Sequence, residues 1–169
     1  MCPFTSRLQF ESKQNEYIDT LTLMPKEFEI SFEFIEYGVE HDKQNIFHLT
    51  TGERCCEVGN MIPAVWTING SLEVAMAIND TGNTSKLFII NDNEWHKVMI
   101  SQKKNIDGDF IFQVAINDVV KWNNINQQPK EFRDVKFFMS NPWERAFNGS
   151  LRNFQICFKG SVRKILLVD

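Results

Sequence analysis

No run of uncharged apolar residues in this 169-residue chain approaches the ~18 that a membrane-spanning helix needs, so no membrane insertion is expected. The N-terminal stretch Met1-Cys2-Pro3-Phe4-Thr5-Ser6-Arg7 lacks the apolar core of a secretory signal, which leaves a cytosolic chain or an excised mature segment. Basic residues are not in excess. The net charge is -4, the pI is about 5.4, and Lys103-Lys104 and Arg163-Lys164 are the only adjacent basic pairs. A nucleic-acid partner is therefore not expected. Glycine and proline are sparse, at 8 and 5, and no segment shows a capped 3.6-residue apolar period. Gly-x-Ser-x-Gly, His-Glu-x-x-His and phosphate-cradling glycine loops are all missing, and His41, His48 and His96 have no zinc-ligand spacing.

What the chain does have is phenylalanine, 15 of them, in period-two patterns. Phe28, Ile30, Phe32 and Phe34 alternate with Glu27, Glu29, Ser31 and Glu33, which reads as a strand with one buried and one wet face. Leu72-Val74-Met76-Ile78, Phe110-Phe112-Val114-Ile116 and Val135-Phe137-Met139 repeat the pattern. Asn69-Gly70, Asp107-Gly108 and Asn117-Asp118 fall between such runs as hairpin turns. About ten short strands at this spacing predict an all-β fold: a two-sheet antiparallel jelly-roll sandwich over residues 1–160, with 161–169 a final strand or linker tail.

Four cysteines, Cys2, Cys55, Cys56 and Cys157, permit two disulfides. Adjacent cysteines close a small ring that the peptide bond resists, so Cys55 or Cys56 is expected to pair with a distant cysteine. Four Asn-x-Ser/Thr sequons stand in turn-like segments, at Asn69, Asn79, Asn83 and Asn148. Glycosylation sites and disulfides belong to the same compartment, so the expected location is extracellular, secreted or in a cell-surface protein.

The order of landmarks is informative. Asn93-Glu94-Trp95-His96-Lys97-Val98-Met99-Ile100 is followed by a hairpin at Ile116-Asn117-Asp118-Val119 and a closing Gly149-Ser150-Leu151-Arg152-Asn153-Phe154-Gln155-Ile156. This resembles the laminin G-like domain, a concanavalin A-like jelly roll, over about Leu8 to Phe158. The resemblance implies a non-catalytic adhesion module. It also raises calcium, the one cofactor candidate, with Asn60, Asn79 and Asp80 as its oxygen donors; a polar turn explains the same residues. Trp143-Glu144-Arg145 resembles part of a galectin sugar site, but the His-x-Asn-Pro-Arg strand of that family is missing. Jelly-roll glucanases carry Glu-x-Asp-x-x-Glu on one strand, and Glu16-Tyr17-Ile18-Asp19 stops one carboxylate short.

The sequence therefore predicts a recognition module for an extracellular protein or glycan, with ligand-binding candidates Trp143, Glu144 and Arg145 in one rim loop and Cys55 and Cys56 in another. The alternatives are a jelly-roll lectin or carbohydrate-active enzyme, and a structural module that self-associates through its edge strands.

Overall fold

The computed structural model describes residues 2, 4–6, 9–11, 13–159 and 165–166. Their strands, in chain order, are β1 (Phe4–Ser6), β2 (Phe10–Glu11), β3 (Glu16–Met24), β4 (Phe28–Glu36), β5 (Gln44–Thr50), β6 (Ala64–Ile68), β7 (Ser71–Ile78), β8 (Thr81–Ile89), β9 (His96–Lys104), β10 (Phe110–Ile116), β11 (Val119–Asn126), β12 (Phe132–Ser140), β13 (Arg145–Ala146), β14 (Gly149–Phe158) and β15 (Ile165–Leu166). They form two sheets. The first runs β11-β10-β9-β4-β14-β1-β15, with β2 also on β14; the second runs β3-β12-β5-β6-β7-β8, with β13 on β5. Apart from the short parallel pairs β1–β15 and β13–β5, every pairing is antiparallel, as expected for a jelly-roll sandwich. Of the tail, Ile165 and Leu166 lie beside Phe4 and Thr5; the rest of 161–169 lies outside the described residues.

Local chemistry sets the turns. Asn69-Gly70, Asn79-Asp80 and Asn117-Asp118 all carry positive φ at both central residues, the two-residue hairpin geometry whose twist matches the strands. Alternation then decides the faces. Phe28, Ile30, Phe32 and Phe34 point between the sheets and are buried, while Glu27, Glu29 and Glu33 face outward. That outward row is charge-matched. Lys103 pairs with Glu29 at 2.5 Å, Lys159 with Glu27 at 3.3 Å, and Arg152 with Glu33 at 2.7 Å. Hydrogen bonding from Asn153, reinforced by the Arg152 guanidinium, holds the Glu33 carboxyl below its usual range.

The core is a block of phenylalanines. Phe154 stacks on Phe32 (5.7 Å) and Phe137 (5.6 Å) and meets Phe47 edge-on at 5.2 Å, so a single ring joins β14 and β4 to β12 and β5. A disulfide, Cys2–Cys157, fastens the start of the chain beside β14, where Phe4 already faces Ile156.

On one side of the sandwich the edge strands β8 and β11 lie close together, and Lys86 Nζ donates to the Lys121 carbonyl at 3.2 Å. Leu87, Ile89, Val119, Val120 and Ile125 are exposed there.

One group breaks the alternation. Glu36 continues the inward row of β4, is fully buried, and neither carboxyl oxygen has a hydrogen-bond partner; the buried Thr67 hydroxyl makes none either. Burial pushes this carboxyl up from its usual range, and the charges of Asp92 and Glu40 add to the effect. Because the folded state holds the proton more tightly than the unfolded chain, the Glu36 contribution to stability is fullest below the ordinary carboxyl pKa and is lost as pH rises through the elevated one. Glu36→Gln is expected to remove that decline, leaving the variant more stable than the parent at pH 8 and little changed at pH 4. Urea unfolding at the two pH values reads the difference.

Candidate functional site

Alternation predicts that the outer face of a sheet stays wet. On the second sheet it does not. Every residue of β5 is buried, and Ala75 of β7 is buried although it points away from the core. The cover is the loop between β5 and β6, residues 51–63. Met61, Ala64, Trp66 and Ala75 form a second, smaller apolar cluster beneath it.

Asn60 organises the loop. Its Oδ1 accepts from Glu53 N (3.2 Å), its Nδ2 donates to the Cys55 carbonyl (2.9 Å), and its own N–H donates to the Glu57 carbonyl (3.1 Å). The tip docks on β8. A Cβ at Gly82 would lie 2.3 Å from the Cys56 oxygen and 2.5 Å from the Glu57 carbonyl carbon, so only glycine admits this approach. The register shift between Met76 and Ile78 marks the irregularity of β8 at that point.

The Asn141-Pro142 turn after β12 supplies the other half. Asn141 Oδ1 accepts from the N–H groups of Trp143 (3.0 Å) and Glu144 (2.9 Å), closing an Asx turn. Its Nδ2 donates to Glu144 Oε2 (2.5 Å) and to His48 Nδ1 (2.9 Å). The imidazole proton is thereby assigned to Nε2, which donates to the Asn60 carbonyl at 2.5 Å. Burial holds the His48 pKa down at about 4, so the ring is neutral at neutral pH.

Glu144 is the centre of the site. Its carboxylate is almost wholly buried and accepts from Arg54 Nε (2.7 Å), Trp66 Nε1 (3.3 Å) and Asn141 Nδ2. Beside it Lys43 Nζ sits 4.0 Å from the Trp66 ring centre and 2.6 Å from Glu73 Oε2. Together these groups line a cavity of about 240 Å³, with Cys55, Met61, Asn83 and Ser85 completing its wall. Donors and acceptors of both charge signs ring an indole floor, so the cavity can hold a neutral, hydroxyl-rich molecule by hydrogen bonds in both directions.

The sequence candidates fall as follows. Glu144 and Cys55 line the cavity. Trp143 is half-buried with its ring edge-on to His48 (5.4 Å) and Phe138 (6.3 Å). Arg145 lies outside the cavity lining, on β13, where it pairs with Asp42 at 3.1 Å. The side-chain polar atoms of Asn60 are used within its loop, Asn79 Oδ1 accepts from Gln127 N, and Asp80 pairs with Lys130. Among the described residues no three of His, Cys, Asp and Glu gather into a metal-binding group. The sequon residues Asn69, Asn79, Asn83 and Asn148 are all exposed.

The disulfide expectation for the loop is corrected. Cys55 pairs with Cys56, and the distant partners Cys2 and Cys157 pair with each other. The β1–β14 register brings the outer two together, which leaves the loop cysteines only one another. Cys56 accommodates the ring by taking φ +83°. Lys43, Arg54, Trp66 and Glu73 were not among the candidates. Arg54 and Glu144 are 90 residues apart, and only the folded loop brings them together.

No family model and no curated protein matches this chain. Solved structures do. The receptor binding domain of botulinum neurotoxin D superimposes with a TM-score of 0.58 at 17% identity, over 88% of this chain and 39% of that one. A native heptameric SAP-like pentraxin from Limulus polyphemus gives 0.59 at 12%, over 89% and 76%. The binding domain of botulinum neurotoxin DC, solved in complex with SialylT, gives 0.52 at 16%, over 79% and 32%. The chain thus spans well under half the length of the toxin domains it matches, and the likeness establishes the jelly-roll fold.

The buried imidazole has a measurable consequence. The unfolded chain takes up a proton at the ordinary His pKa of 6.5, whereas folded His48 does so only near 4. The His48 contribution to stability is therefore fully present above pH 6.5 and is lost as pH falls from 6.5 toward 4, by about 3 kcal/mol in total. His48→Gln is expected to be less stable than the parent at pH 7.5, through its altered hydrogen bonds, and to show a shallower loss in urea unfolding at pH 4.5.

Proposed function

We propose that this domain is a non-catalytic, extracellular recognition module of the laminin G-like type that binds a glycan in the cavity between Arg54, Trp66, Glu73 and Glu144. The observation that carries the reading is the Glu144 carboxylate, held by three donors at the edge of a cavity whose other polar groups remain at its surface. Fixed hydrogen-bonding groups around an aromatic floor suit a ligand that presents hydroxyls on every side. The solved neighbours support it: one is a receptor binding domain, and another is a binding domain in complex with SialylT. Asn83 stands in the cavity wall, so a glycan attached there would compete with a bound one, and binding is best measured on Asn83→Gln as well as on the parent.

A glycan array is expected to identify a ligand, and a hydrolysis screen on the same glycans to find no turnover. Arg54→Ala and Glu73→Gln should each weaken binding roughly tenfold or more, with Arg145→Ala as the control outside the cavity. Repeating the titration with a calcium chelator reads the Asn79–Asp80 candidate. A blank array would turn the reading toward a protein partner, and turnover would make the domain an enzyme.

A further inference from the structure

The Cys55–Cys56 disulfide has no role in holding the two sheets together, since both residues belong to one exposed loop tip. It is tied to the cavity instead. Cys55 forms part of the wall, the Cys55 carbonyl is clasped by Asn60, and the Cys56 carbonyl lies against Gly82. Cys56 holds φ +83°, a left-handed conformation that L-residues other than Asn and Asp rarely adopt. The neighbouring Arg54 is the loop's contribution to Glu144.

We infer that Cys55–Cys56 is a reducible site whose oxidation state controls the cavity, with a dithiol reductant as its substrate. A reductant thiolate attacks one exposed sulfur, forming a mixed disulfide while the Cys55–Cys56 bond breaks and the other sulfur leaves as thiolate. The second thiol of the reductant then closes its own disulfide and releases the remaining cysteine. Two electrons and two protons pass from the reductant to give two protein thiols. Without the ring nothing covalent holds Cys56 at positive φ. The residue relaxes, its carbonyl leaves Gly82, and Arg54 is withdrawn from Glu144. Cys2 and Cys157 are only partly exposed, and their bond ties the segment before β1 to β14, so they are the slower pair.

The test is native-state reduction of the full chain with dithiothreitol, alkylation, and peptide mapping, together with hydrogen exchange over residues 51–63. The expected result is alkylation at Cys55 and Cys56 before Cys2 and Cys157, and amide exchange in the loop at least tenfold faster. The double variant Cys55→Ser/Cys56→Ser should exchange at the same raised rate. Reduction of Cys2–Cys157 first, or reduction of Cys55–Cys56 with unchanged loop exchange, overturns the inference. The ligand readout rests on the glycan reading: where the oxidised protein binds a glycan, reduction should weaken it about tenfold or more. If the oxidised protein binds none, that reading fails while alkylation and exchange still decide this one.

Discussion

The packing of Phe154 is the contact on which the sandwich depends. One ring touches phenylalanines of three other strands, two of them in the opposite sheet. Each sheet has a face of apolar side chains that must be covered, and rings spaced 5–6 Å apart in edge and stacked orientations fill the gap. With that layer in place the outer faces are free to take on other work. The face of β4 becomes a charge-matched surface, and the outer face of β5 to β7 accepts a loop.

The architecture could be read largely from alternation and turn chemistry. The row from Phe28 to Phe34 and the asparagine-led hairpins are local signals, and they place strands and faces without knowledge of distant residues. Glu36 shows where such a signal fails. The alternation of β4 carries on for one residue after the side chains stop being apolar, so an acid follows the phenylalanines inward. Polarity alone would have placed it outside.

The site was less accessible for a related reason. A strand buried on both faces needs a second cover, and the cover here is a loop whose first half contains glycine, charge and two cysteines, with its apolar residues Val58, Met61 and Ile62 confined to the second half. It is held by the hydrogen bonds of Asn60, by the packing of Met61 and Ile62, and by the absence of a side chain at Gly82. Glu144 was visible next to Trp143 as part of a sugar-site resemblance. Its distant partners Arg54 and Trp66 come from another loop and another strand, and no spacing rule connects them.

The open side of the sandwich bears on how this domain behaves in company. An unpaired strand edge is a template for another chain, and aliphatic side chains beside it would make such pairing favourable. Here Lys86 of β8 reaches across to a carbonyl of β11, occupying with its own ammonium group an acceptor that an incoming strand would need. Lys121 adds a second positive charge on the same rim. At that point a copy approaching edge to edge meets like charge and an acceptor already engaged, which disfavours strand addition there.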